Sequence, residues 1–189
     1  VTFEQIPLSP KAVVDGALSI IRPEALAKGI ALDLCVADDV PQGVLGDPTR
    51  LRQVLLNLLT NALKFTERGR IGVVLRRDAS GDGQGLHFAV TDSGIGIPLE
   101  RQNVLFRDFM QVGTSTSRQY GGTGLGLAIS QRLVHGMGGI IGMTSEPKGG
   151  STLLGSAALP ATEALAITTP KNVQALKHRI LVVEDNAVK

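Results

Sequence analysis

Asn57, Asn61 and Lys64 stand at i, i+4 and i+7 in the run Asn57-Leu58-Leu59-Thr60-Asn61-Ala62-Leu63-Lys64-Phe65. On a helix they share one face while the leucines cover the opposite one. Two amides and an ammonium on one face suit a hydrated magnesium–phosphate group, because magnesium takes hard oxygen ligands and keeps several waters. The same spacing also describes the solvated face of an ordinary amphipathic helix. A second segment, Asp92-Ser93-Gly94-Ile95-Gly96-Ile97-Pro98, follows an expected strand. A buried acid there can accept a hydrogen bond from a base's amino group, and the glycines let backbone approach a flat ring; a plain strand-to-helix turn is the alternative. The third segment, Gly121-Gly122-Thr123-Gly124-Leu125-Gly126-Leu127-Ala128, opens a helix. Backbone N–H groups at such a start favour an anion such as a di- or triphosphate, although a flexible hinge needs the same glycines.

Several chemistries are excluded or weakened. The third segment spaces its glycines as Gly-x-Gly-x-Gly without a regular βαβ unit, so it is not a dinucleotide fingerprint. No lysine is followed by Ser or Thr, which removes a Walker A phosphate loop. The single cysteine, Cys35, has no partner for a disulfide and no Cys/His company for zinc. Its apolar surroundings, Ile30 to Val36, predict a buried structural thiol. A net charge of +2 argues against a nucleic-acid clamp. No apolar run reaches membrane-spanning length and no signal peptide is visible, so the expectation is a cytoplasmic fragment without direct membrane contact.

The elements that must hold these segments can be read from caps and periodicity. Ser9-Pro10 starts a helix with Val13, Val14, Ala17, Leu18 and Ile21 at helical spacing, and Gly29 ends it. Ile30, Leu32, Leu34 and Val36 alternate as in a strand. Asp47-Pro48 starts a second helix, with Leu51, Val54, Leu55, Leu58, Leu59 and Ala62 inward and an end near Phe65. Strands are expected over 70–77 and 86–91 around a glycine-rich turn, then near 139–145 and 151–159, with a helix over 124–135 between the two pairs. Residues 111–122 are small and polar and read as a mobile loop. With 43% apolar residues but only five Phe, one Tyr and no Trp, the core must be aliphatic. An α+β sandwich with helices on one face of a mixed sheet fits this order.

Taken together and in order, the segments resemble the ATP-binding catalytic domain of sensor histidine kinases over residues 1–160. Asp47-Pro48-Thr49-Arg50-Leu51-Arg52-Gln53-Val54-Leu55-Leu56-Asn57 running into Asn61-Ala62-Leu63-Lys64-Phe65-Thr66 is similar to the family's asparagine box. Asp92–Ile97 and Gly122–Leu127 resemble its two glycine boxes. Leu105-Phe106-Arg107-Asp108-Phe109-Met110-Gln111 resembles its phenylalanine box, with Asp108 where proline is common. The resemblance implies a two-layer Bergerat fold with a mobile ATP lid over residues 107–123. It implies ATP and Mg2+ as ligands, with Asn61 on the metal, Asn57 supporting the same face, Lys64 at the phosphates and Phe65 beside base or ribose. Asp92 would accept the adenine amine, with Gly94, Gly96 and Ile97 around it. Arg118 would reach the γ-phosphate, Gly122, Thr123, Gly124, Leu125 and Gly126 would shape the phosphate site, and Thr152 would touch adenine through water.

ATPases sharing the fold carry a glutamate four residues before the metal asparagine, and this chain has Asn57 there. An amide cannot take the proton that a general base must, so the expectation is phosphotransfer to an external nucleophile. In the resembling family that nucleophile is a histidine on a separate dimerisation domain. None of His87, His135 and His178 lies in the matching His-Glu/Asp-x-x-x-Pro context, so the chain reads as an excised catalytic fragment that does not phosphorylate itself. Residues 161–178 read as a linker. The run 179–189, with Ile180-Leu181-Val182-Val183-Glu184-Asp185, resembles the first strand of a receiver domain. The implied parent is a hybrid two-component kinase, homodimeric and possessing its own dimerisation helices and receiver. A nucleotide-binding pseudokinase without phosphotransfer is the alternative.

Overall fold

A computed structural model describes residues 2–78, 85–102, 126–147 and 149–164. The elements run β1 (Ile6–Leu8), α1 (Pro10–Lys28), β2 (Ile30–Val36), β3 (Val44–Gly46), α2 (Pro48–Phe65), β4 (Gly69–Asp78), β5 (Gly85–Asp92), α3 (Leu99–Gln102), α4 (Gly126–Gly136), β6 (Ile141–Glu146) and β7 (Gly150–Ala158). Both long helices start as their sequences dictate. Ser9 Oγ accepts from the Ala12 N–H before Pro10, and Asp47 Oδ1 accepts from the Arg50 N–H before Pro48. Each acceptor satisfies one of the N–H groups a helix start leaves open. Gly29, at φ 67°, ends α1 in the left-handed conformation that glycine adopts without strain.

Five strands form one mixed sheet in the order β2-β4-β5-β7-β6, with β2 parallel to β4 and every other pair antiparallel. Helices α1, α2 and α4 pack on one face, α2 touching both its neighbours and strands β4 and β5. The stripe Leu51, Val54, Leu55, Leu58, Leu59, Ala62 and Leu63 is buried along α2 and meets Ile71, Val73 and Leu75 of β4 and Phe88 and Val90 of β5 in one core. Each fully buried Leu contributes roughly 1.5–3 kcal/mol relative to exposure. Phe88 faces Gly155 across the ladder, and its ring occupies the space a Cβ at Gly155 would need.

The helix-free face of the sheet corrects the expectation for Cys35. Cys35 is exposed, because β2 alternates and sends Ala31, Asp33 and Cys35 away from the helices. An apolar run implies burial on both faces only where both faces are covered. A smaller sheet pairs β1 with β3, and the chain leaving β7 joins it where Ala161 bridges Val44 and the Thr162 N–H reaches the Gly43 carbonyl. A cavity of about 250 Å³ lies beside this sheet, lined by Phe3, Gln5, Gly46, Met137 and Leu159 among others.

Candidate functional site

The polar positions of α2 lie on the flank that α4 and the β5–α3 connection approach. Asn57, Asn61, Lys64 and Phe65 are half-buried, and the Lys64 Nζ sits 5.2 Å from the centre of the Phe65 ring. The Asn57 Nδ2 donates to Ser130 Oγ of α4 at 2.8 Å. Gly126 lies so close that a Cβ there would stand 2.2 Å from Asn57 Oδ1. The first turn of α4 therefore abuts the asparagine face directly.

The far end of α2 meets the second segment. The Ile95 N–H donates to the Phe65 carbonyl at 3.3 Å, and a Cβ on Gly94 would stand 2.3 Å from that same oxygen. Gly96 adopts φ 69° with the Glu146 carbonyl 1.9 Å from where its Cβ would be, a place only glycine fills. The Ile97 N–H donates to Ser145 Oγ, while the Gln102 Nε2 ties the carbonyls of Ile97 and Ser145 together.

Asp92 closes β5 with only 7% of its surface exposed, and its Oδ1 accepts from the Gly94 N–H at 2.8 Å. Burial raises its pKa above the usual carboxylate value, and the backbone N–H groups of Gly94 and Ser151 pull part of that rise back. The carboxyl is fixed in place with acceptor capacity left over, as recognition of a donor such as an amino group requires. Ser151, its ladder partner, is buried beside it and shares a 2.9 Å hydrogen bond with Ser145. Thr152 does not join this group. Its Oγ1 bonds Thr91 Oγ1 at 3.0 Å on the opposite face of the sheet, because successive strand residues alternate. Ser151 is thus a residue that the sequence motifs do not single out, and counting inward positions back from Leu153 would have found it.

The structure therefore brings Asn57, Asn61, Lys64, Phe65, Asp92, Gly94, Gly96, Ile97 and Gly126 to one side of the helical layer. Arg118, Gly122, Thr123, Gly124 and Leu125 lie outside the described residues, as do the phenylalanine box and most of the expected lid. Among the described residues no group of three or more His, Cys, Asp or Glu side chains could hold a metal. The amide oxygens of Asn57 and Asn61 are hard donors, and with Gly126 leaving room beside Oδ1 they fit magnesium held mainly by phosphate and water.

Residues 46–162 match the family described as histidine kinase-, DNA gyrase B- and HSP90-like ATPase. The chain belongs to that family. Relatives in this ATPase family include the signal transduction histidine-protein kinase BarA of Escherichia coli (strain K12), 38% identical over 186 residues, 98% of this chain and 20% of BarA. The sensor histidine kinase GacS of Pseudomonas protegens is 39% identical over 185 residues, 97% of this chain and 20% of that protein. The chain thus spans about a fifth of the length of the curated relatives it matches. Among solved structures, full-length ShkA in complex with AMPPNP superposes with a TM-score of 0.74 at 31% identity, over 86% of this chain and 32% of that one. The mycobacterial sensor histidine kinase MprB gives 0.67 at 27% identity, over 84% of this chain and 99% of that one. The architecture is that of histidine kinase catalytic domains, the Bergerat fold. No described helix is long and apolar enough to cross a membrane.

Proposed function

We propose that this chain binds Mg-ATP on the α2 flank and donates the γ-phosphate to a histidine of a separate dimerisation domain in a hybrid sensor kinase. The observation that carries the reading is the convergence on one helix. The Gly94–Ile95 backbone seats on the Phe65 carbonyl at the C-terminal end of α2, and α4 seats on Asn57 two turns earlier. Asp92 and the amide face then stand at opposite ends of a single surface, as a base and its phosphates would need.

In this reading the Asp92 carboxylate orients adenine by accepting its exocyclic amine, with Ser151 beside it and Phe65 against the base or ribose. Lys64 reaches the phosphates, as Arg118 does from the lid. Asn61, with Asn57 on the same face, holds magnesium, which when bound offsets the charge of the phosphate oxygens. The residue that faces the reacting end, Asn57, is an amide engaged with Ser130 and cannot deprotonate water. The residues present thus favour transfer to an external nucleophile over hydrolysis. The complex of ShkA with AMPPNP supports the nucleotide assignment. The likeness to BarA over 98% of the chain extends beyond residue 164, which supports a receiver strand over 179–189 after a linker. Dimerisation helices, receiver and homodimeric assembly are proposed for the parent protein on the same likeness.

Calorimetric titration with ATP, with and without magnesium, tests the site. Binding that strengthens with magnesium and weakens on Asn61→Ala is expected. An affinity for ATP unaffected by either change would overturn the assignment.

A further inference from the structure

Ser130 belongs to none of the segments that point to the nucleotide, yet it holds one of their residues. It is 1% exposed, sits in the middle of α4, and its Oγ accepts from the Asn57 Nδ2 at 2.8 Å. Gly126, one helical turn earlier on the same face of α4, lies flush against that amide. A Cβ there would be 2.2 Å from Oδ1, 3.0 Å from Cγ and 3.2 Å from Nδ2. The side chain of Asn57 is therefore fixed at two points by one helix.

The chemistry of an amide makes this contact directional. Its two ends are nearly equal in size, but the oxygen accepts and can ligate a metal, whereas the NH2 only donates. A half-buried asparagine left to itself can rotate to present either end. With Nδ2 committed to Ser130, Oδ1 is the end that remains for a ligand. We infer that Ser130 is a positioning residue that sets the orientation of the Asn57 amide, so that Asn57 presents oxygen to the magnesium–phosphate group. The inference rests on the nucleotide reading above and adds to it a residue outside the recognised motifs. It also gives α4 a direct role: the helix that follows the lid segment in sequence determines which atom α2 offers.

The test uses the full chain and four variants: Ser130→Ala, Asn57→Ala, Asn57→Asp and the double change Ser130→Ala with Asn57→Asp. ATP affinity is measured by calorimetry with magnesium and with EDTA. Ser130→Ala is expected to weaken Mg-ATP binding about tenfold, the equivalent of 1.4 kcal/mol, and to leave metal-free binding unchanged. A carboxylate has oxygen at both ends and cannot be misoriented, so Ser130→Ala is expected to cost little in the Asn57→Asp background. Hydrogen exchange of the Asn57 side-chain NH2, followed by NMR without nucleotide, gives an independent readout. Slow exchange in the wild type and fast exchange in Ser130→Ala are expected.

Each outcome points one way. If the wild type does not bind Mg-ATP, or Asn57→Ala binds it as the wild type does, the nucleotide reading fails and the role of Ser130 with it. If Asn57→Ala weakens binding but Ser130→Ala does not, only the role of Ser130 is overturned. That role is likewise overturned if Ser130→Ala costs the same in both backgrounds, since a purely structural serine would act that way.

Discussion

Replacing Asp92 by asparagine should move affinity and stability in opposite directions. The side chain is 7% exposed and its Oδ1 is already held by the Gly94 N–H at 2.8 Å. Asparagine keeps the shape and can keep that bond through its own oxygen. The other end changes from an acceptor carrying charge to an NH2 donor, which would face the donating amine of adenine. The lost charge-assisted hydrogen bond is worth roughly 1.5–3 kcal/mol, or about 10- to 150-fold in affinity. The unliganded fold loses nothing comparable, because the carboxylate is penalised by burial and its pKa is raised for that reason. The sign with pH follows. A raised native pKa means the penalty is full above it and fades as pH falls through it towards the unfolded value, so acidification stabilises the unliganded fold through this group. Protonation at the same time removes the acceptor, so wild-type ATP affinity should fall by up to about tenfold per pH unit below that pKa while the Asp92→Asn variant stays flat. Titration calorimetry and thermal unfolding of both proteins over acidic to neutral pH measure these effects. Equal ATP affinity in wild type and Asp92→Asn, or parallel pH profiles, would refute the reasoning.

Three further outcomes concern the frame around the site. Leu58→Ala empties a fully buried position on α2 and should cost about 2–5 kcal/mol in denaturant unfolding. Asp47→Ala removes the α2 cap and the acceptor of the Glu4 N–H, and a loss of about 1–2 kcal/mol in the same assay is expected. Thr66 is fully buried with its hydroxyl unpartnered, so Thr66→Val should leave the melting temperature unchanged or raise it; a clear fall would show that the hydroxyl has a partner.

Much of the helical layer was legible because its signals are local. Ser9-Pro10, Gly29 and Asp47-Pro48 mark helix ends by their own hydrogen bonding, and the α2 leucines repeat at a spacing only a helix satisfies. The strands β4 and β5 and their hairpin pairing followed from alternation and a glycine-rich turn. What escaped depends on partners distant in sequence. Strands β1 and β3 are three residues each, too short to alternate visibly, and exist because each pairs with the other. Cys35 looked buried because nothing local says which face of β2 the helices cover. Thr152 and Ser151 are adjacent in sequence and differ only in the face they take, which the ladder with Asp92 decides. Ser130 gave no signal at all, since a serine in an apolar helix means something only once Asn57 is seen across from it.

The central claim is that this chain transfers phosphate from ATP to histidine, and one measurement reaches it directly. The chain is mixed with a protein consisting of the dimerisation helices of its own parent, γ-labelled ATP and magnesium, and the label is tested for acid and alkali stability. The account predicts label on the helices that is lost in acid, survives alkali, requires magnesium and disappears with Asn61→Ala. ATP bound at the site with no label transferred, or label that resists acid, would contradict it.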